Sequence, residues 1–380
     1  MSVRIGIDAR EAFRLHPRGI GLYVRHLMRE FSDLAADQEF LLYHERDLPE
    51  DMPPIPENMR PVRTEIRGGR WNSWERIRMP WQIRRDKVSV YHGTYNTLPP
   101  SWPLWRGPPL MVTVHDLIVT WHDESLDDPY VRYCRAVTPR VLRDAKTILT
   151  VSEWSRQDII NRHGVAAEKV QVFFNGISPE FIAGAPEGSA DKARLRFANG
   201  QRYLFALGSS LRRKNTNGLI DALGLLHSRG HLELPCLISG LNEAQQKPFR
   251  ERAARAGLTQ QILFLPYLTR KDLIDLYAGA ELCIYPSLIE GWGIPVIESL
   301  ALGTPVVTSQ TSGMQEAGGD HAFYFDPTDL DSMASGIEDA LRQRDSWTAQ
   351  IQPAAIERAR SFTWRKAAET TLQAYLNLAR

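Results

Sequence analysis

The fold is decided by the stretch LCIYPSLIEGWGIPVIE, residues 282–298. Its first four residues form a short, continuously apolar run, which predicts a buried strand. Its end has the composition of a buried helix, and Pro295 is well tolerated in a first helical turn. The loop between them carries Glu290 and two glycines, which let main-chain N–H groups approach a ligand closely. We therefore predict a strand–loop–helix unit with Glu290 in the loop and Glu298 about one turn inside the helix.

The same alternation of short apolar runs and helical patterns extends in both directions. The predicted strands are Val3–Ile7, Phe40–Tyr43, Val88–Tyr91, Leu110–Val114, Thr147–Val151, Val170–Phe173, Tyr203–Leu207, Pro235–Ser239, Ile262–Leu265, Leu282–Tyr285, Pro305–Thr308 and Ala322–Phe325. Continuous apolar strands alternating with helices indicate parallel sheets covered on both faces. The sequence therefore predicts an α/β protein with two similar domains.

The chain has 380 residues, which is too long for one compact core. A turn-rich stretch begins at Asn175 and continues through Gly188, so we place a domain boundary near residue 180. This predicts a first domain over residues 1–180 and a second over residues 181–363. The remaining segment, residues 364–380, has the pattern of a helix.

Composition excludes several classes of protein. Hydrophobic residues make up 43% and charged residues 24%, and the net charge of +1 gives no electrostatic case for binding nucleic acid. The three cysteines, Cys134, Cys236 and Cys283, lie scattered in apolar contexts, which is typical of buried thiols in a reducing compartment. No signal peptide pattern opens the sequence, and no run is long and apolar enough to span a membrane. We therefore expect a cytoplasmic protein.

Residues that follow predicted strands are the candidates for binding, because ligands of open α/β sheets bind at the carboxyl ends of strands. In the first half, Gly19 and Gly21 lie between the first strand and the first helix, where a phosphate could approach or where a loop simply needs glycine. His115, beside Asp116, follows the fourth strand and His92 follows the third. A histidine here can bond a hydroxyl or polarise a leaving group, or it can bridge two loops structurally.

In the second half, a strand ends at Gly208 and is followed by Arg213 and Lys214. Adjacent Arg and Lys ahead of a helix suit a diphosphate, although a solvated basic turn has the same composition. The D-x-D sequence at Asp329 and Asp331 resembles a metal site, but acidic residues are expected in a first helical turn. We predict no metal ligand there.

A further stretch, Arg67–Lys87, contains seven basic residues, two acidic residues and three tryptophans. Basic residues interleaved with tryptophan suit contact with an anionic membrane. A helix that packs its tryptophans into the core and leaves its arginines in water would have the same composition. Both interpretations are open from the sequence.

Taken together, these motifs resemble the retaining glycosyltransferases of family 4. The resemblance covers nearly the whole chain and includes the Gly19-Ile20-Gly21 loop, His115-Asp116-Leu117, Arg213-Lys214-Asn215 and the run from Glu290 to Glu298. It implies a GT-B fold, in which two Rossmann-like domains face each other across a deep interdomain cleft. The first would bind the acceptor and the second the nucleotide-sugar donor, with the C-terminal helix packing back on the first.

The resemblance also implies roles for individual residues. Arg213 and Lys214 would bind the donor diphosphate and stabilise its departure, while Glu290 would bond the hydroxyls of the donor sugar. Glu298 would bond the nucleotide ribose, and His115 would contact the donor sugar or the leaving phosphate. Further donor contacts would come from Gly19, Gly21, Gly208, Gly291, Trp292, Gly293 and Ile294, and acceptor contacts from Arg18, Tyr23 and His92. One departure is Trp292, where the family usually has phenylalanine.

Within the family, the first strand and its glycine loop look most like bacterial mannosyl- and rhamnosyltransferases of surface-polysaccharide and lipopolysaccharide assembly. This implies a hexose, best mannose from GDP-mannose, moved with retention to a glycan or polyprenyl-linked acceptor, without a metal or other cofactor. Alternatives are a rhamnosyl- or glucosyltransferase with a dTDP or UDP donor, a nucleotide-sugar epimerase, and a non-catalytic scaffold.

Overall fold

The structure, a computed structural model, describes residues 2–17, 19–65, 73–101, 107–121, 129–266 and 268–380. Contacts divide the chain into two compact units. The first comprises Met1–Gly176 together with Thr363–Arg380, and the second comprises Ile177–Phe362. The division falls inside the turn-rich stretch that begins at Asn175.

The first unit is built on a parallel sheet of seven strands among the described residues. In chain order they are β1 Arg4–Asp8, β2 Glu39–His44, β3 Met59–Arg63, β4 Val90–Gly93, β5 Leu110–Thr113, β6 Thr147–Thr150 and β7 Val170–Val172. Their order across the sheet is β3-β2-β1-β4-β5-β6-β7. The strands β1 to β3 are therefore added towards one edge of the sheet, and β4 to β7 towards the other. This makes the crevice beside β1 and β4 the topological switch point of the sheet.

Helices cover this sheet and bury its apolar strands. They are α1 Ile20–Leu34, α2 Met79–Arg85, α3 Ile118–Trp121, α4 Pro129–Asp144 and α5 Glu153–His163, with a π-helical turn at Trp74–Arg78 and a 3-10 turn at Ala167–Lys169. The C-terminal helix Trp364–Leu378 packs on α1, where the Trp364 ring stacks on His26 at 4.6 Å between centroids. Gly176 permits this return of the chain, because a Cβ there would lie 2.3 Å from the Trp364 nitrogen.

The described part of the second unit contains six parallel strands. They are β8 Leu204–Leu207, β9 Cys236–Ser239, β10 Ile262–Phe264, β11 Leu282–Tyr285, β12 Val306–Ser309 and β13 Phe323–Phe325. The order across the sheet is β10-β9-β8-β11-β12-β13, so its switch point lies between β8 and β11. Both sheets are parallel and covered by helices, which confirms the α/β prediction.

The helices of the second unit alternate with its strands. They are α6 Pro179–Ala183, α7 Ser189–Phe197, α8 Thr216–Ser228, α9 Glu243–Arg255, α10 Arg270–Gly279, α11 Ile294–Ala301, α12 Ser312–Gly318, α13 Leu330–Arg342, α14 Arg344–Gln350 and α15 Gln352–Arg360, with 3-10 turns at Arg212–Lys214 and Gly319–His321. Leu219, Leu223 and Leu226 of α8 are buried at helical spacing and pack into the core of this unit.

Three features answer further sequence-based expectations. Cys134, Cys236 and Cys283 are buried free thiols. Trp74 is buried, as the core-packing interpretation of the stretch Arg67–Lys87 expects, whereas Trp81 is exposed. Contact of this stretch with a membrane stays a prediction, and residues 67–72 lie outside the described residues. Among the residues that the structure describes, no helix is both long and apolar enough to cross a membrane.

Candidate active site

The candidate site lies at the switch point of the second sheet, where β8 and β11 are hydrogen-bonded neighbours. The chain leaves β8 through Gly208 and forms a 3-10 turn over Arg212–Lys214. It leaves β11 into the loop that carries Glu290. The two loops are tied together because the Leu288 N–H donates to the Arg213 carbonyl at 2.7 Å. The topology therefore brings the predicted phosphate ligands beside the predicted sugar ligand.

Two cations converge on one carboxylate at this point. Arg213 Nη1 lies 2.6 Å from Glu290 Oε2, and Lys214 Nζ lies 2.7 Å from Glu290 Oε1. Lys214 also donates to the Tyr285 hydroxyl at 2.7 Å. Two cations therefore flank one carboxylate in a partly buried crevice. Such a cluster suits an anion with several oxygens, because charge-assisted hydrogen bonds strengthen away from bulk water.

The protonation states in this cluster follow from its charges. Burial alone would raise the pKa of Glu290, but Lys214 and Arg213 outweigh burial and hold that pKa below its usual value. Burial would lower the pKa of Lys214, whereas the Tyr285 oxygen and the Glu290 carboxylate raise it well above its usual value. Glu290 is therefore ionised and Lys214 protonated at neutral pH.

The glycine loop after Glu290 leads into α11. Gly293 is required by packing, because a Cβ there would lie 2.9 Å from the Cβ of Ala317. The Trp292 ring is buried and packs edge-on against Phe362, with centroids 5.1 Å apart. This anchors the loop in the core, so we expect contacts between residues 291–294 and a ligand to be made chiefly by the main chain.

Glu298 lies inside α11 in an environment of its own. Tyr277 donates to Glu298 Oε2 at 3.4 Å, and Arg270 Nη1 lies 3.6 Å from Glu298 Oε1. Burial raises the pKa of Glu298 to about 7, although Arg270 and Tyr277 both act to lower it. This carboxyl therefore titrates near neutral pH, unlike that of Glu290.

Gly208 is explained by packing. A Cβ at this position would lie 2.7 Å from Ile238 Cγ2 and 3.0 Å from Leu241 Cδ1. The absence of a side chain lets the strand end approach these residues. Its predicted contact with a donor stays a prediction.

Three residues predicted to contact the donor belong to the first unit. His115 follows β5, and its Nε2 lies 3.3 Å from the Thr94 carbonyl oxygen. Burial lowers the pKa of His115 to about 4, so its ring is neutral at physiological pH. Gly19 adopts a left-handed φ of 48° with open space around it, whereas a Cβ on Gly21 would lie 2.5 Å from the Glu11 carbonyl oxygen. The roles of these residues towards a donor also stay predictions.

The structure corrects the assignment of His92 and Tyr23 to an acceptor site. His92 is fully buried, with Nδ1 bonded to the Tyr375 hydroxyl at 2.7 Å and Nε2 to Thr113 Oγ1 at 2.8 Å. The Tyr23 hydroxyl is buried and bonds the same Thr113 oxygen at 3.0 Å. With their polar atoms satisfied inside the core, both side chains hold the fold together. The third predicted acceptor residue, Arg18, lies outside the described residues.

Asp329 has a structural role. Its carboxylate caps α13 by accepting from the N–H groups of Asp331 and Ser332. Asp331 forms an ion pair with Arg229. Within the described residues, no group of three or more His, Cys, Asp or Glu side chains is arranged to hold a metal ion.

Sequence reasoning missed Tyr285, Arg270 and Ser312 as neighbours of the candidate site. Tyr285 is the last residue of β11, so the strand-end rule could have found it. Arg270 and Ser312 lie far along the chain from the glutamates that they contact. Only the folded arrangement of the sheet brings these groups together, and no local pattern signals it.

The two parallel α/β units and the cation pair at a switch point define a class, the glycosyltransferases with a GT-B fold. Residues 189–360 match the family described as "Glycosyl transferases group 1", and residues 17–181 match "Glycosyltransferase Family 4". The chain belongs to the family 4 glycosyltransferases with a GT-B fold, and it is therefore a glycosyltransferase enzyme.

Individual relatives agree with this assignment. The O-antigen chain mannosyltransferase B of Escherichia coli is 28% identical over 382 residues, covering 97% of this chain and 98% of its own. A glycosyltransferase structure from Rickettsia africae ESF-5 has a TM-score of 0.75 at 16% identity, covering 100% of this chain and 99% of that one. Anabaena Alr3699/HepE, solved with UDP and glucose, has a TM-score of 0.72 at 17% identity, covering 98% and 100% of the two chains.

Proposed function

We propose that this glycosyltransferase moves mannose from GDP-mannose, with retention of configuration, to a glycan or polyprenyl-linked acceptor in bacterial polysaccharide assembly. The observation that carries the proposal is the cluster of Arg213, Lys214 and Glu290 at the switch point of the second sheet. Its two adjacent cations suit the diphosphate of a nucleotide sugar. The carboxylate between the cations suits sugar hydroxyls, which donate hydrogen bonds.

The cluster supports a specific sequence of contacts. When the diphosphate binds, Arg213 and Lys214 turn from Glu290 to the phosphate oxygens, and the released Glu290 carboxylate accepts hydrogen bonds from the sugar. As the bond between the anomeric carbon and the phosphate oxygen breaks, the two cations stabilise the charge that develops on the leaving group. The acceptor oxygen attacks from the same face, and its proton passes to the leaving phosphate. Two protein cations supply this charge, so we expect transfer without a metal.

The choice of mannose rests on similarity rather than on geometry. The Escherichia coli relative is named as an O-antigen chain mannosyltransferase, and it covers almost the full length of both chains. Specificity for one sugar depends on the shape of its binding site. GDP-mannose is therefore the first donor to test, ahead of dTDP-rhamnose and UDP-glucose.

A thermal-shift panel of these three nucleotide sugars, each with and without EDTA, tests the donor. A true donor stabilises by mass action, by about 2.7 kcal/mol at a concentration 100 times its dissociation constant. We expect GDP-mannose to raise the melting temperature with or without EDTA. A response only to dTDP-rhamnose or UDP-glucose would show that GDP-mannose is not the donor. No response to any of the three would contradict the proposal.

A transfer assay with a polyprenyl-linked glycan acceptor tests the reaction itself. Proton NMR of the anomeric position should show the same configuration in the product as in the donor. An inverted product would contradict retention. Conversion of the donor into an epimer without acceptor would indicate an epimerase, and donor binding without any conversion would indicate a scaffold.

We further propose that the first unit contacts the anionic cytoplasmic face of a membrane, where polyprenyl-linked acceptors lie. Ile77 and Trp81 are 69% and 52% exposed and lie one helical turn apart. The guanidinium groups of Arg78 and Arg85 lie 4.7 Å and 5.2 Å from the Trp81 ring. Glu75 is buried, so it does not offset the positive charge of this surface. Exposed apolar side chains among arginines suit anionic lipid.

Flotation with vesicles tests this contact. We expect the protein to float with phosphatidylglycerol vesicles and not with phosphatidylcholine vesicles, and to be released by high salt. The Ile77→Ser/Trp81→Ser variant should lose flotation. Leu195→Ser, which changes an exposed leucine of the second unit, is the matched control. Equal flotation of both variants would contradict the assignment of this surface.

A further inference from the structure

The loop that carries Glu290 is held by the loop after the neighbouring strand, β12. Ser309 Oγ donates to the Ser287 carbonyl at 2.6 Å, and Thr311 Oγ1 donates to the Leu288 carbonyl at 3.1 Å. These bonds fix the first part of the Glu290 loop. They follow from the parallel pairing of β11 with β12, which places the two loops side by side.

The backbone N–H and the backbone carbonyl of Glu290 are both hydrogen-bonded by two consecutive residues, Ser312 and Gly313. The Glu290 N–H donates to Ser312 Oγ at 3.1 Å, and the Glu290 carbonyl accepts from the Gly313 N–H at 3.1 Å. Ser312 Oγ in turn donates to the Thr311 carbonyl at 2.7 Å, so the hydroxyl is oriented to accept from Glu290. These contacts set the direction in which the Glu290 side chain leaves the backbone.

The backbone at Ser312 is strained to make this contact. Ser312 has a φ of 59°, which lies in the left-handed region of backbone conformation. Residues other than glycine, asparagine and aspartate rarely adopt this conformation. Gly313 is equally constrained, because a Cβ there would lie 2.1 Å from the Gly291 carbonyl oxygen. Strain that persists at one residue beside a candidate site is a sign that its position has a function.

We propose that Ser312 is a positioning residue, whose hydroxyl holds the Glu290 peptide and so aims its carboxylate at the donor sugar. The role in catalysis rests on the proposed function, while the structural contact does not. A small misplacement of a group that binds the reacting sugar lowers turnover strongly. Loss of this one hydrogen bond should reduce kcat about tenfold.

Two substitutions separate positioning from folding. Ser312→Gly removes the hydroxyl and also relieves the left-handed strain, whereas Ser312→Ala removes the hydroxyl and keeps the strain. The glycine variant should therefore melt at a higher temperature than the alanine variant. If the hydroxyl positions Glu290, both variants should show the same loss of kcat. Asn199→Gly is the matched control, because Asn199 also has a positive φ but lies on the exposed surface of the same unit.

The experiment combines kcat, GDP affinity and hydrogen exchange of the segment Ser287–Ile294. We expect both Ser312 variants to exchange this segment faster, to lose about tenfold in kcat, and to keep GDP affinity within twofold, because GDP lacks the transferred hexose that Glu290 is proposed to bind. Asn199→Gly should match the wild type throughout.

Unchanged exchange in the Ser312 variants would overturn the proposal, and so would unchanged kcat. A loss of kcat that followed the melting temperatures of the two variants would also overturn it, since that would indicate a folding defect. If the wild-type enzyme used none of the nucleotide sugars, the proposed function would fail, while hydrogen exchange would still decide whether Ser312 holds the loop.

Discussion

The two sheets have the same kind of switch point, but their side chains use it differently. In the first unit, Arg10 follows β1 and lies 2.6 Å from Asp8 and 3.4 Å from Glu75, with its guanidinium 4.0 Å from the Trp74 ring centroid. Two carboxylates and an aromatic face surround the Arg10 guanidinium, which is only 8% exposed, and Arg140 lies 4.0 Å from Glu75 as a second cation. The cation that follows β1 is therefore held by the protein's own buried ion network.

In the second unit the cations are more accessible. Arg213 and Lys214 both contact the carboxylate of Glu290, and their side chains remain 19% and 22% exposed. Cations with access to solvent can receive an anionic ligand, whereas a buried ion network cannot. The comparison teaches that topology supplies a crevice in each unit, while the burial of the ion pairs beside it decides which one can bind a diphosphate.

The largest effect is expected from breaking the network of the first unit. Arg10→Met would leave Asp8 and Glu75 buried without their main cation, so we expect unfolding to become easier by about 3–5 kcal/mol. Chemical denaturation measures this loss. Nucleotide affinity of the folded variant should stay within twofold, because the ion pairs of Arg10 lie within the first unit.

Arg14→Met is the matched control for this change. Arg14 is half-exposed and pairs with Glu11 at the surface, so its loss should cost less than about 1 kcal/mol. If Arg10→Met were as stable as this control, the network would have no structural role, and the contrast between the two switch points would fail.

The next effect concerns the second unit. Arg213→Ala should lower kcat/KM by about 100- to 1000-fold, because one of the two cations that stabilise the leaving group is lost. Its melting temperature should change little, since Lys214 still neutralises Glu290. Steady-state kinetics with the donor measures the effect. The adjacent, exposed Arg212→Ala is the control, and an equal loss in that variant would mean that general basic charge is sufficient.

Much of this fold could be predicted from the sequence, because buried parallel strands are continuously apolar. All twelve predicted strands are present, within one or two residues at their ends. Among the described strands, the one that was missed is Met59–Arg63, which lies at the edge of its sheet and contains two arginines and a proline. Edge strands bury little surface and tolerate proline, so they lack the apolar signal used for the others.

The candidate site was predictable only in part. Arg213, Lys214 and Glu290 follow strands on either side of a switch point, and the rule for strand ends brought them together correctly. His92 was misassigned because its strand was expected to end at Tyr91, whereas it runs to Gly93 and pairs His92 with Ile7. A shift of two residues turned a loop position into a buried strand position.

For Tyr23, the helical spacing of apolar residues in the sequence could have predicted that the side chain is buried. It lies four residues before Leu27 on α1, so it shares the buried face of that helix. Ser312 shows the opposite case, because its bond to Glu290 depends on a left-handed backbone and on the pairing of β11 with β12. Neither feature has a local sequence pattern.

The smallest expected effect is a pH dependence of stability caused by Glu298, and it compares this carboxyl with that of Glu290. Glu290 contacts two cations at 2.6 Å and 2.7 Å, whereas Arg270 lies 3.6 Å from Glu298. Because burial raises the pKa of Glu298 to about 7, the folded protein holds this proton more tightly than the unfolded chain does. The stability from the neutral form is therefore fully present below the unfolded pKa, near 4.5, and is lost as the pH rises through about 7.

Glu298→Gln removes this titration and nearly preserves the shape of the side chain. We expect the melting temperature of the variant, relative to the wild type, to rise by about 4–8 °C between pH 5 and pH 8.5, corresponding to about 2 kcal/mol. Thermal melts across this range measure the difference. Glu357→Gln, at an exposed position of α15, should show no such trend and serves as the control. A constant difference between Glu298→Gln and the wild type would mean that Glu298 is ionised throughout this range and that Arg270 partners it as effectively as two cations partner Glu290.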